Sequence, residues 1–247
     1  MSLSSNLDHP ALPAGQVLYA VGDIHGRLDL LRRLLEQIEA DAYARAEGTV
    51  CSLVFLGDYV DRGPDSRGVI AELLARQPQT FDTHFLKGNH EALLLDFLED
   101  ARHLDQWLVN DGEATMLSYG VDTEGLERAR ARPETWRRAF AEMLPPAHLH
   151  FFRNLKLSVS FGDYLLVHAG VRPGVPLAKQ SEADLIWIRS PFLDHAGSYG
   201  KIVVHGHTPA ELPVVRPNRI GIDTGAVFTD RLTALRLQDG SLDFLHT

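Results

Sequence analysis

Residues 51–63 read CSLVFLGDYVDRG. Cys51 to Leu56 has the make-up of a buried strand, because β-branched and aromatic residues cluster in a short apolar run that stops at Gly57. Asp58 therefore falls just past a strand end. In an open α/β sheet that edge is where ligands bind, so a carboxylate there is placed to hold a metal ion. Asp61 and Arg62 follow within one turn. The alternative, and the weaker of the two even for this stretch alone, is a polar turn before a helix punctuated by Gly63 and Pro64.

Other segments repeat the arrangement. Val17 to Val21 ends in Gly22-Asp23-Ile24-His25-Gly26, and Phe85-Leu86-Lys87 ends in Gly88-Asn89-His90-Glu91. Leu165-Leu166-Val167 ends in His168-Ala169-Gly170, and Ile202-Val203-Val204 ends in His205-Gly206-His207-Thr208-Pro209. Five strand-like runs thus each deliver metal-competent side chains, which a chance scatter of His and Asp would not do.

The ordered set GDIHG, GDYVDRG, GNHE, HAG and GHTP, spanning Gly22 to Pro209, resembles the phosphoprotein phosphatase branch of the calcineurin-like metallophosphoesterases. Within it the chain looks most like the short bacterial and phage serine/threonine protein phosphatases. The symmetrical diadenosine tetraphosphatases share the first three motifs, and GHTP is the feature that favours the protein phosphatases. The resemblance implies an α+β, four-layer α/β/β/α sandwich with two divalent metals at one edge between facing sheets. It also implies hydrolysis of phosphoserine or phosphothreonine in proteins by a metal-bridging hydroxide; the alternative is symmetrical cleavage of dinucleoside polyphosphates such as diadenosine tetraphosphate.

Asp23 and His25 are two apart, so on an extended chain their side chains would project the same way and grip one ion. A mixed carboxylate, imidazole and amide set suits Mn, Fe or Zn better than Ca, and Mn is the expected metal. The resemblance assigns Asp23 and His25 to the first metal, Asp58 to the bridge, and Asn89, His168 and His207 to the second. His205 is left as packing or outer support. Two metals about 4 Å apart lower the pKa of a shared water toward 7 and clamp both oxygens of an in-line displacement. Phosphoryl oxygens also need a planar donor fork. Arg62 supplies it by motif, and Arg189, in LIWIRSPF, is the second candidate. His90, next to Asn89, is the expected general acid, with Asp61 holding its imidazole.

A chain of 247 residues suits one large domain, expected over residues 15–247 with a helical excursion at 100–150 and a flexible segment at 1–14. In that excursion, Trp136 is expected to share a buried helical face with Ala139, Phe140 and Met143. Outside it, periodicity predicts a helix from about Leu31 to Gly48, a second over Ser66 to Arg76 stopped before Pro78, and a third over Glu91 to Leu98. From Leu155 onward short strands dominate, with hairpin turns at Gly162-Asp163 and Asp239-Gly240. A net charge of -9 argues against a generic nucleic-acid surface and requires local cations for any anionic substrate. The lone Cys51 excludes an intramolecular disulfide. Neither a signal peptide nor a membrane-length apolar stretch is visible, so a cytoplasmic monomer is expected, acting on a phosphoprotein or a phosphorylated small molecule.

Overall fold

The computed structural model describes residues 10–45, 48–76 and 81–247. In order, the described chain forms β1 (Gln16–Val21), α1 (Leu28–Tyr43), β2 (Val50–Phe55), α2 (Ser66–Ala75), β3 (Phe81–Phe85) and α3 (Asn89–Glu99). Helices then follow with no strand between them: α4 (Leu104–Leu108), α5 (Gly112–Ser118), α6 (Thr123–Arg128), α7 (Pro133–Met143) and α8 (Pro146–Arg153). The remainder is β4 (Ser158–Phe161), β5 (Tyr164–Val167), α9 (Glu182–Trp187), α10 (Ser190–Leu193), β6 (Ile202–His205), β7 (Val214–Arg216), β8 (Arg219–Gly221), α11 (Ala226–Thr229), β9 (Thr233–Gln238) and β10 (Ser241–His246).

The strands make two mixed sheets, ordered β10-β9-β1-β2-β3 and β4-β5-β6-β8-β7. Parallel pairing of β1, β2 and β3 sends all three C-terminal ends to one edge, and parallel pairing of β5 and β6 does the same in the second sheet. Period-two alternation explains the layers. In β1, Leu18 and Ala20 face a core shared with Leu166 and Val204 of the second sheet, while Val17, Tyr19 and Val21 face the helices. In β5, Tyr164 and Leu166 face that same inner core, while Leu165 and Val167 pack against Leu185, Ile186 and Phe192 of α9 and α10. Each sheet is apolar on both faces because each is covered on both. The result is helices, sheet, sheet, helices, as the resemblance implies.

Several local readings need adjustment. α3 starts at Asn89, two residues earlier than its periodicity suggests, because Glu91 accepts from the Gly88 backbone N–H at 2.9 Å and closes the first turn. Asn89 and His90 thereby ride on a helix N-terminus. In α7, Trp136 and Phe140 are buried as expected, but Met143 is 43% exposed. Both hairpins form, and Asp239 and Gly240 both take positive φ (47° and 76°), as a tight two-residue turn requires. Pro78 and residues 1–9 lie outside the described residues. Ala11, within the segment expected to be flexible, exchanges hydrogen bonds of 3.0 Å with Asp163 at the β4–β5 turn. No helix among the described residues is long and apolar enough to cross a membrane.

Candidate metal centre and active site

The two sheets meet at their C-terminal edges. The Ile24 and His25 amides donate to the Asp58 carbonyl at 3.0 and 2.8 Å, which ties the ends of β1 and β2. His168 Nδ1 donates to the Leu56 carbonyl at 2.9 Å, joining the end of β5 to the end of β2. The Gly206 amide donates to the His168 carbonyl at 2.8 Å and adds the end of β6. Residues far apart in sequence therefore converge in one small volume. His25, Asp58, Asp61, Arg62 and His207 all adopt positive φ, from 46° to 69°. Strain of this kind persists where surrounding contacts over-determine the backbone, and it gathers at functional sites. It also overturns the premise that Asp23 and His25 share a direction on an extended chain, since His25 has φ 46°.

Two triads result. His25, Asp58 and His90 bring ligand atoms within 4.8 Å of one another, and so do Asp58, His168 and His207. Asp58 belongs to both: its Oδ2 lies 3.5 Å from His25 Nε2 and 3.4 Å from His168 Nε2. Asn89 Oδ1 lies 3.0 Å from His168 Nε2 and 2.9 Å from His207 Nδ1. Ligand atoms on one ion with bonds of about 2.0–2.2 Å stand roughly 3 Å apart, so this spacing fits a divalent cation. Asp23 stands outside both triads. Its Oδ2 accepts from the His207 amide at 3.0 Å, while its Oδ1 is buried without a hydrogen-bond partner, as a metal-ligating oxygen would be. Residue 206 must be glycine for Asp23 to reach this position, because a Cβ there would stand 2.1 Å from that Oδ1.

Electrostatics agree with this fit. Burial, reinforced by the neighbouring Asp223 and Asp58 carboxylates, pushes the Asp23 carboxyl up, which is the mark of clustered buried acids lacking a counter-cation. Burial, aided by His90 and Arg62 and opposed by Asp58, pushes His25 down to about 3. Burial and His168 likewise push His207 down to about 3. Both imidazoles are thus neutral and carry the lone pair a metal requires. Burial opposes charge on His168, but Asp58 overrides it and lifts the imidazole to about 10, a proton that cation binding would replace. Burial opposes charge on Asp58 as well, but His168 and His90 hold its carboxyl well below the usual range.

Around the centre, His90 Nδ1 donates to Asp61 Oδ2 at 2.7 Å, both side chains being almost fully buried, and His90 Nε2 lies 3.9 Å from Asp58 Oδ2. Burial lowers the pKa of His90, yet the Asp58 and Asp61 carboxylates more than offset it and raise it. Arg62 Nη1 donates to His25 Nε2 at 2.8 Å and Arg189 Nε to His207 Nε2 at 3.2 Å, so one guanidinium flanks each end. Trp187 sets its indole edge-on to His207, ring centroids 6.1 Å apart. His205 turns away: its Nδ1 meets the Gly206 carbonyl at 3.0 Å and its ring packs on Phe192.

Sequence reasoning passed over four residues. Glu91 accepts from the amides of Asp58 and Gly88, both at 2.9 Å, and of Tyr59 at 2.8 Å, tying the β2 loop to the start of α3. Its place as the last letter of GNHE was the available signal. Asp223, 6% exposed, follows β8 as Asp58 follows β2, so the strand-end pattern occurs a sixth time. Trp107 and Thr115 both donate to Asp61. Nothing local in their sequence marks them.

The chain is 26% identical over 242 residues to the asymmetrical bis(5'-nucleosyl)-tetraphosphatase PrpE of Oceanobacillus iheyensis, covering 89% of this chain and 88% of that protein. It is 30% identical over 229 residues to serine/threonine-protein phosphatase 1 of Salmonella typhimurium, covering 90% and 92%. A crystal structure assigned as a candidate diadenosine tetraphosphatase shares the fold with a TM-score of 0.62 at 22% identity, over 96% of both chains. The calcineurin-like phosphoesterase model matches residues 17–245, nearly the whole chain, and with the converged histidines and carboxylates this shows that the protein belongs to that family of metal-dependent phosphatases.

Proposed function

We propose that this protein is a phosphomonoesterase that removes phosphate from phosphoserine or phosphothreonine in proteins. The observation that most supports this reading is the buried His90–Asp61 pair, with its 2.7 Å hydrogen bond, beside Asp58. An alkoxide is a poor leaving group and needs a proton as the P–O bond breaks, whereas a nucleotide phosphate leaves an anhydride with little help. A dedicated acid is therefore worth more to an ester hydrolase.

Asp23, His25, Asp58, Asn89, His168 and His207 would hold two divalent cations, Mn by our reading, with Fe or Zn as the other candidates for this mixed donor set. Bound there, the cations would supply Lewis acidity and a water acidic enough to act as nucleophile near neutral pH. Arg62 and Arg189 orient the phosphoryl group through its non-bridging oxygens. Water supplies the oxygen of the new P–O bond and loses one proton to solvent, the seryl or threonyl oxygen departs with the old bond's electron pair and takes the His90 Nε2 proton, and a proton from solvent restores the imidazolium. Asp61 keeps the imidazole oriented and compensates its positive charge. The products are inorganic phosphate and the alcohol.

A second reading, hydrolysis of dinucleoside polyphosphates, is favoured by the PrpE relatives. Their name specifies asymmetrical cleavage, whereas the motif resemblance pointed to symmetrical cleavage. Comparing kcat/KM on a phosphoserine peptide and on diadenosine tetraphosphate tests the proposal. A decisive preference for the dinucleotide would reverse it, and the products, two ADP or ATP with AMP, would identify the cut.

The arginines are separately testable. Arg189→Ala is expected to weaken competitive inhibition by inorganic phosphate about tenfold, the cost of one charge-assisted contact at a partly open site, with metal content unchanged. Arg62→Lys should keep only part of the activity, because a point charge does not reproduce a two-pronged donor. Unaltered phosphate inhibition and kcat/KM in Arg189→Ala would remove Arg189 from the site.

A further inference from the structure

The helical insertion between α3 and β4 reaches into the centre at Asp61. That carboxylate is fully buried and every lone-pair direction is taken. Oδ2 accepts from His90 Nδ1 at 2.7 Å and from Trp107 Nε1 at 3.0 Å. Oδ1 accepts from Thr115 Oγ1 at 2.6 Å and from the same indole N–H at 3.1 Å. Thr115 Oγ1 also accepts from the Asp61 amide at 2.8 Å, so one hydroxyl holds both the backbone and the side chain of Asp61. Ser66 Oγ supports the pair, 3.1 Å from the Asp61 amide and 3.0 Å from Thr115 Oγ1. Asp61 has φ 69°, in the left-handed region that Asp enters more readily than most non-glycine residues, and these hydrogen bonds fix it there.

The two donors are themselves held rigidly. Trp107 is fully buried between Phe97 and Phe140, ring centroids 5.1 and 5.2 Å away, and Gly112 lies so close that a Cβ there would stand 2.5 Å from the indole. Thr115 follows on α5, one turn beyond Gly112. Between Trp107 and Thr115 in sequence, Asp111 accepts from the Arg62 amide through its carbonyl at 3.4 Å. The same stretch thus braces the acid pair and the backbone of one arginine.

We propose that Trp107 and Thr115 are positioning residues for leaving-group protonation: they hold the Asp61 carboxylate in the one orientation that aims His90 at the departing oxygen. The helical insertion is then part of the proton-delivery apparatus. A carboxylate held only by His90 could rotate about its terminal torsion, and the imidazole would turn with it. The three further contacts from Trp107 and Thr115, spread over both oxygens, prevent this. The inference rests on the reading of His90 as the leaving-group acid.

The test uses the metal-loaded enzyme and compares a phosphoserine peptide with p-nitrophenyl phosphate, whose leaving group needs little protonation. Thr115→Val keeps shape and loses the donor, and Trp107→Phe keeps an aromatic ring and loses the donor. Each is expected to lower kcat on the peptide about tenfold to hundredfold, with KM within about twofold and bound metal unchanged. On p-nitrophenyl phosphate the loss should be about threefold or less. Thr115→Ser restores the hydroxyl and should recover most of the peptide activity. Gly112→Ala removes no hydrogen-bonding group but displaces the indole, and should imitate Trp107→Phe. A merely structural role would lower both substrates together and would not be rescued by serine. Equal losses on the two substrates, or a Thr115→Ser enzyme no better than Thr115→Val, overturn the positioning role. His90→Asn measured alongside separates the two readings. If it discriminates between the substrates and the Trp107 and Thr115 variants do not, the acid stands and the positioning role falls; if His90→Asn itself does not discriminate, the acid reading falls first.

Discussion

Asp58→Asn is expected to lose more activity than removal of any single outer ligand, on the order of 10³-fold or more. Asp58 Oδ2 stands 3.5 Å from His25 and 3.4 Å from His168, so it serves both ligand sets. Lewis-acid stabilisation contributes several kcal/mol to a phosphoryl transition state, and each 1.4 kcal/mol or so is a tenfold change in rate, which gives that estimate. Neutralising the carboxylate also removes the charge that lets two cations sit close together. Asparagine is a clean probe, because it tolerates the φ of 51° at this position and its amide oxygen can still accept from the His90 amide, as Asp58 Oδ1 does at 3.1 Å. Metal content by elemental analysis and turnover on p-nitrophenyl phosphate check it. Two retained metal equivalents with near-normal turnover would sink the bridging assignment.

His90→Asn is expected to keep the metals and lower kcat on a phosphoserine peptide by about 10² to 10⁴, the range for loss of a general acid. The ring donates to Asp61 and lies 3.9 Å from Asp58, so its removal leaves His25, His168 and His207 in place. The deficit should shrink on p-nitrophenyl phosphate, because nitrophenolate leaves unaided. Equal deficits on alkyl and aryl phosphates would show that His90 supports the centre in some other way, for instance as the third member of the triad it forms with His25 and Asp58.

The contrast between Asp58 and Trp107 shows what could be read from the chain. Asp58 was legible because its signal is local: an apolar β-rich run predicts a strand, and the residue after a strand end falls at a sheet edge, where ligands bind. The same logic locates Asp23, Asn89, His168 and His207, and it extends to Asp223, which follows the run that ends at Ile222. The near-continuous apolar runs of β1 and β5 suit strands covered on both faces, but the arrangement of two facing sheets was implied only by the motif resemblance. Trp107 carried no such signal, because a tryptophan in an amphipathic helix is most often core, and its bond to Asp61 spans 46 residues of sequence.

The sequence by itself therefore determined which segments form strands and the kinds of side chain at their ends, since strand propensity and strand-end chemistry are short-range properties, while the two-sheet arrangement was carried by the motif resemblance. Which side chains share a centre was decided by tertiary structure alone. His207 meets Asn89 across 118 residues, and His168 meets the Leu56 carbonyl across 112, only because parallel strands in two separate sheets end at one common edge. The left-handed backbone at His25, Asp58 and Asp61 was likewise beyond sequence reasoning: none is glycine, and the contacts that hold them there come from other strands and from the helical insertion.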